Sequence, residues 1–176
     1  MKLNIGCWNR RMEGFINIDI VNHKGVDIVD DVSTLNRIEN SSCDLIYASH
    51  VLEHFDRIDY RKVLRAWVSK LKNGGTLRVA VPDFGSVCTM YAINKNIKEM
   101  IGMVVGTHDI AYEGHKMIFD CDLLTSNLED VGLTNVKRWD WRKTEHSHVD
   151  DYSQSFLPHM DKINGRLMSL NLEGTK

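Results

Sequence analysis

Apolar residues come first in short runs and later in helical stripes. Leu3-Asn4-Ile5 closes at Gly6, Phe15 to Ile18 closes at Asp19, and Val26 to Val29 runs into Asp30-Asp31. Asp44 to Ala48 forms a fourth run. Thr76 to Val81 forms a fifth, led by Asn73-Gly74-Gly75 and stopped by Pro82. Short apolar runs bounded by turn residues predict strands. The third to fifth are nearly unbroken, as in strands covered on both faces. Tyr60, Val63, Leu64, Trp67, Val68 and Leu71 then fall at helical spacing, with Arg61, Lys62, Arg65 and Lys70 on the wet side. Asp59 is the expected cap of this helix and Asn73-Gly74 its stop. Leu123, Leu124, Leu128 and Val131 make a second stripe ending at Gly132, and residues 84–105 read as less regular helix. Val136 to Trp141 and Leu167 to Leu172 predict two closing strands around a polar loop, 142–164.

This alternation predicts an α/β fold, with a mostly parallel sheet closed by an antiparallel C-terminal hairpin. Gly6 and Asp19 are only thirteen positions apart. A helix of about 11–12 residues plus a strand does not fit there, so the first crossover helix is expected to be shortened or absent. The 176 residues suit a single domain, 1–176. A net charge of −2 disfavours a broad basic face for nucleic acid. No run approaches the ~20 apolar residues of a membrane span, and no signal core opens the chain. Cys7, Cys43, Cys88 and Cys121 form no C-x-x-C pair and read as free thiols of a reducing cytoplasm.

Parallel sheets bind ligands beyond the carboxyl ends of their strands. That edge collects Gly6, Asp19, Asp30, Asp31, Ser49, His50, Pro82 and Asp83. Gly6 lets backbone approach a ligand. Asp19 is placed to accept two ribose hydroxyls, and Asp31 lies within reach of an adenine edge. The ordered set points to an adenosine-type ligand. The missing G-x-G-x-x-G argues against a dehydrogenase.

LNIGC, GFINIDI, DIVDDV, CDLIYASHVLEHF, LKNGGTLRVAVPDF and EDVGLTNVKRWDW, in that order, resemble the class I (Rossmann-like) S-adenosylmethionine-dependent methyltransferases. The closest resemblance is to small methyltransferases of the type 11 kind. It implies a three-layer sandwich around a seven-stranded sheet of order 3-2-1-4-5-7-6, with the seventh strand antiparallel, and S-adenosylmethionine as cofactor. By motif position it implies Gly6 and Cys7 at the methionine part of the cofactor, Asp19 at the ribose, and Asp31 and Val32 at the adenine. Ala48, Ser49 and His50 would border the sulfonium. The departure is Gly6-Cys7-Trp8-Asn9, where further glycines usually stand. Trp8 or Phe15 is therefore expected to cover the cofactor.

The acceptor side has fewer signals. His50 follows the fourth strand and is read as a general base or as a satisfied polar residue at a helix start. Glu53 and His54 are read as locally paired. His115 and Asp83 are further catalytic candidates, against a loop histidine and a helix cap. His146-x-His148 with Asp150 and Asp151 has metal-compatible types but no closed zinc spacing, so no metal is expected and the segment reads as a polar lid. Trp139 and Trp141 are expected on one strand face. The preferred function is methyl transfer to a hydroxyl of a small-molecule or saccharide acceptor. The alternative is a nucleotide- or S-adenosylmethionine-binding module without catalysis. A homodimer is left open; membrane and nucleic acid are not expected partners.

Overall fold

A computed structural model describes residues 1–107 and 114–176. Strands β1 (Lys2–Ile5), β2 (Ile16–Asp19), β3 (Ile28–Val29) and β4 (Cys43–Ser49) precede helix α1 (Tyr60–Lys70) and strand β5 (Leu71–Pro82). Helices α2 (Phe84–Asn94), α3 (Ile101–Val105) and α4 (Cys121–Asp130) follow. Strand β6 (Thr134–Arg138), the small pair β7 (Phe156–Leu157) and β8 (Arg166–Leu167), and β9 (Ser169–Thr175) end the chain. The main sheet runs β3-β2-β1-β4-β5-β9-β6, with β9 antiparallel to both neighbours. This is the order expected from the sequence. Among the described residues no helix is long and apolar enough to cross a membrane.

No helix lies between β1 and β2, and none lies between β2 and β4. The first link is held instead by buried amide groups. Asn4 Nδ2 donates to Asn17 Oδ1 at 3.0 Å and to Arg10 O at 2.9 Å. Asn17 Oδ1 also accepts from Met12 N, and its Nδ2 reaches Met12 O, Phe15 O and Asp27 Oδ2. Arg11 meets Asp27 at 2.6 Å. That ion pair and the Asn17 hydrogen bonds hold the Asp27 carboxyl down at about 2.

Side chains alternate across β4, so its two faces see different partners. Ile46 and Ala48 join the core beneath α1 and α4, with Val63, Leu64, Trp67, Leu124 and Leu128. Trp67 is fully buried, and its Nε1–H donates to Val32 O at 2.7 Å. Leu45 and Tyr47 face the other way, toward Met12, Phe15 and Trp139. The layer on that side is irregular chain. His146 is buried there against Tyr47, with ring centroids 4.3 Å apart, and Tyr47 Oη donates to Asp151 Oδ2 at 2.6 Å.

Several local expectations need correction. Phe15 is buried against His146 and so does not cover a ligand. His146 and Asp151 fasten their segment onto the sheet face, so this stretch is a packed layer and not a free polar lid. Its histidines and acids do not converge on a common point among the described residues. Asp59 makes no side-chain cap; Asp56 Oδ1 accepts from Ile58 N and Asp59 N, while Asp59 pairs with Lys62. α1 passes directly into β5 at Leu71, ahead of Asn73-Gly74. Trp141 lies beyond β6 in a single 3₁₀ turn, although it still packs beside the Trp139 cluster.

The Tyr47–Asp151 bond ties the irregular layer to the sheet. A hydrogen bond to a charged group contributes about 1.5–3 kcal/mol. Tyr47→Phe should lower the urea midpoint by a matching amount and speed amide exchange in residues 142–155. Unchanged stability and exchange would show that the layer is held by packing alone.

Candidate active site

The carboxyl ends of β1, β2 and β4 meet at one edge. Gly6 leaves β1 with φ +63, a conformation that glycine adopts without strain. A Cβ built there would stand 2.4 Å from Val51 Cγ2, so the loop after β1 is seated against the turn after β4. Cys7 is buried, and burial first, then the Asp19 charge, push its thiol up to about 12. It is an unreactive packing group.

Asp19 ends β2 and is 6% exposed. Oδ2 accepts from Trp8 N at 2.7 Å, and Oδ1 from Val21 N at 3.0 Å. Each oxygen keeps a lone pair for a further donor. Trp8 has φ +45, and its ring lies 3.9 Å from that of His23. The loop thus closes over Asp19, on the side that the resemblance gives to the ribose, whereas Trp8 was expected over the methionine end. Asp31 is exposed, and its Oδ1 accepts from Ser33 N within a turn. Val32 belongs to the core beneath α1.

Beyond β4, His50 sits at φ +54 with Nε2 3.1 Å from Ser169 Oγ. Glu53 follows in the 3₁₀ turn Leu52–His54 and is fully buried. His50 Nδ1 lies 3.2 Å from Glu53 Oε1, and His115 Nε2 lies 3.9 Å from the same oxygen. Neither contact has hydrogen-bond geometry, and both carboxylate oxygens lack partners among the described residues. Burial raises the Glu53 carboxyl, but the charges of His50, His54 and His115 outweigh it and leave a net downward shift. Burial lowers His115, with Glu53 opposing.

The structure therefore joins His50 and His115 through Glu53, whose role sequence reasoning missed. The signal was present in H-x-x-E-H, but nothing in spacing alone brings His115 to it. The backbone does so: Lys116 N and Met117 N donate to Glu53 O. Asp83 caps α2 through Ser86 N and Ser86 Oγ, both at 3.2 Å, and approaches Arg138 at 3.9 Å. Its oxygens serve the helix start, the alternative role considered for it. Tyr152, 62% exposed and 5.4 Å from the His50 ring, is a further group that the sequence did not single out. A small apolar crevice lined by Pro82, Phe84, Val87, Met103, Met117 and Ile118 adjoins the same turn.

Residues 15–79 match the family model described as a methyltransferase domain. No curated protein sequence matches the chain. Among solved structures, an S-adenosylmethionine-dependent methyltransferase from Archaeoglobus fulgidus is similar at 16% identity and TM-score 0.59, over 99% of this chain and 85% of that one. One from Mesorhizobium loti is similar at 12% identity and TM-score 0.55, over 99% and 90%. The Burkholderia thailandensis 1,6-didemethyltoxoflavin-N1-methyltransferase, solved with S-adenosylhomocysteine, gives 12% and 0.59, over 99% and 70%. The fold is that of the class I S-adenosylmethionine-dependent methyltransferases.

The edge of the sheet fits such a cofactor chemically. It holds a buried carboxylate with free lone pairs, a left-handed glycine, and two buried polar atoms without partners among the described residues, Ser49 Oγ and His23 Nε2. Among the named cofactor residues, Gly6, Trp8, Asp19, Ser49 and His50 lie at the ends of β1, β2 and β4, while Cys7 is packed away.

The Gly6 contact can be tested directly. Gly6→Ala places a side chain at positive φ and against Val51, two penalties that together exceed about 1 kcal/mol. Thermal unfolding should show that loss, and Val51→Ala in the same chain should return part of it. Full additivity of the two substitutions would mean the loop and the turn are not in contact.

Proposed function

We propose that residues 1–176 form one catalytic domain that transfers a methyl group from S-adenosylmethionine to a hydroxyl of a small-molecule or saccharide acceptor. The observation that carries this reading is the convergence, at one sheet edge, of Asp19 with the His50–Glu53–His115 cluster. When bound, S-adenosylmethionine supplies an electrophilic methyl on a sulfonium. The chain's part is binding, in-line orientation and acceptance of one proton. Asp19 receives the ribose hydroxyls, and the tilted Trp8–His23 ring pair flanks that side. Ser49 and His50 border the reacting methyl. His50 takes the acceptor hydroxyl proton as the oxygen–methyl bond forms and the sulfur–methyl bond breaks.

Tyr152 beside His50 supports a saccharide or other ring-bearing acceptor, because an exposed aromatic face stacks on such rings. The Burkholderia relative is named for a small-molecule acceptor, which supports the same class. The four free cysteines, two of them buried, fit a reducing cytoplasm.

The binding-module alternative has one observation in its favour: the Trp8 amide already occupies one oxygen of Asp19. Calorimetry separates the two readings. Asp19→Asn should weaken S-adenosylhomocysteine binding about tenfold or more, given the strength of charge-assisted hydrogen bonds. His50→Ala should leave that affinity within a few-fold and reduce turnover by about 10²–10⁴. Equal S-adenosylhomocysteine affinity in wild type and Asp19→Asn would place the ligand elsewhere. Binding without turnover on any hydroxyl acceptor would favour the module.

A further inference from the structure

Glu53 poses a problem that methyl transfer does not solve. Its side chain is fully buried, and neither oxygen has a hydrogen-bond partner among the described residues. A buried carboxylate is ordinarily paired, hydrogen-bonded or bound to a metal. The nearest group, His50 Nδ1 at 3.2 Å from Oε1, forms an ion pair with that oxygen only if its ring is protonated. His54 Nδ1 is 3.3 Å from Gly114 O, and His115 Nδ1 is 3.1 Å from Met103 O. A carbonyl oxygen can only accept, so both Nδ1 atoms carry the hydrogen. A ring that carries only this proton has a bare lone pair on Nε2. His115 turns that Nε2 toward Glu53 at 3.9 Å.

Such an arrangement is repulsive without a cation and complementary with one. Fixing Nδ1–H on a backbone carbonyl is how a metal-ligating histidine is commonly held in its tautomer and orientation. One ligand atom from each of Glu53, His54 and His115 lies within 4.8 Å of the other two. Metal–nitrogen and metal–oxygen bonds of about 2.0–2.2 Å would draw these atoms in by small side-chain rotations. Glu53 and His54 share the turn after β4, and His115 is hung from the same turn by the bonds of Lys116 N and Met117 N to Glu53 O. The backbone thus fixes all three positions. His50 Nδ1, 3.2 Å from Glu53 Oε1, stands next to them.

We propose that Glu53, His54 and His115 bind one divalent first-row transition ion of the zinc class, beside His50 at the carboxyl end of β4. Two imidazoles and one carboxylate suit zinc, manganese, cobalt or iron better than magnesium or calcium, which prefer all-oxygen shells. Three protein ligands leave a position open, as at catalytic sites. A hydroxyl held there would be more acidic and would lie beside the group assigned as base. Ion binding stands on geometry alone, whereas this catalytic role rests on the methyl-transfer reading. No metal was expected from the sequence, where the segment His146 to Asp151 was the one weighed for metal and its spacing matches no closed zinc pattern.

The test uses the untagged full chain, stripped with chelator and titrated with zinc and with cobalt. One equivalent of zinc should bind, and cobalt should give the visible absorption of a nitrogen- and oxygen-ligated ion. Glu53→Gln and His115→Ala should each weaken zinc binding by about a hundredfold or more, since even outer-shell losses cost 10–100-fold. Far-ultraviolet circular dichroism and S-adenosylhomocysteine calorimetry on the same variants report folding. His54→Gln serves as a third variant should either of the others unfold. No stoichiometric binding of either ion to the wild type would overturn the proposal. So would zinc affinity unmoved in the folded variants. Zinc binding without S-adenosylhomocysteine binding would sink the methyl-transfer reading and leave the ion site standing; the reverse result would do the opposite.

Discussion

The buried side-chain amide of Asn17 is the interaction on which the rest of the architecture depends. The link from β1 to β2 is too short for a helix, yet its backbone must cross the sheet edge without stranding polar groups in the core. Asn17 solves this by accepting from Asn4 and from Met12 N while donating to Met12 O, Phe15 O and Asp27. A side chain with two donors and two lone pairs can replace much of a helical turn's hydrogen bonding. Its own surroundings have low polarity, so leaving any of these bonds unmade would be costly.

With the first crossover helix gone, one face of the sheet needs another cover. Met12 and Phe15 provide part of it, and the long connection from β6 to β9 provides the remainder. Tyr47 and Trp139 sit at the middle of this layer with His146, in a cluster of edge-on and tilted rings. Trp139 Nε1 donates to Val79 O, so even the aromatic cover is hydrogen-bonded to the sheet. The same connection carries Tyr152 to the His50 ring. The segment that substitutes for helices on one face therefore also brings a side chain to the acceptor side of the edge.

At that edge, two buried carboxylates stand in opposite conditions. Asp19 is buried and tied down by the amides of Trp8 and Val21, and each oxygen keeps a lone pair. Glu53 has no hydrogen bond to either oxygen among the described residues and is surrounded by imidazoles. The first is a preorganised acceptor for hydroxyls, and the second is a preorganised negative point. They are mechanically joined through the Gly6–Val51 contact, because Gly6 leads to Trp8 and Val51 leads to Glu53.

The sequence by itself determined β1, β2, β4 and β5, the antiparallel closing strand, and the shortage of chain between Gly6 and Asp19, whereas the run from Val26 to Val29 pairs only at Ile28 and Val29, and Val29 is exposed. Unbroken apolar runs and counted spacings are local properties, and they survive folding unchanged. It also determined that Gly6, Asp19, Ser49 and His50 lie at carboxyl ends, because strand direction follows once the alternation is read. Only the tertiary structure decided the roles of polar residues within those strands and turns. Asn4 and Asn17 look like interruptions until β1 and β2 pair. Asp59 looks like a cap until Asp56 takes that place. His146 looks like part of a polar lid, and Glu53 like a locally paired acid, until burial and partners are known. A polar side chain's role depends on which donors, acceptors and charges surround it, and those neighbours come from distant parts of the chain.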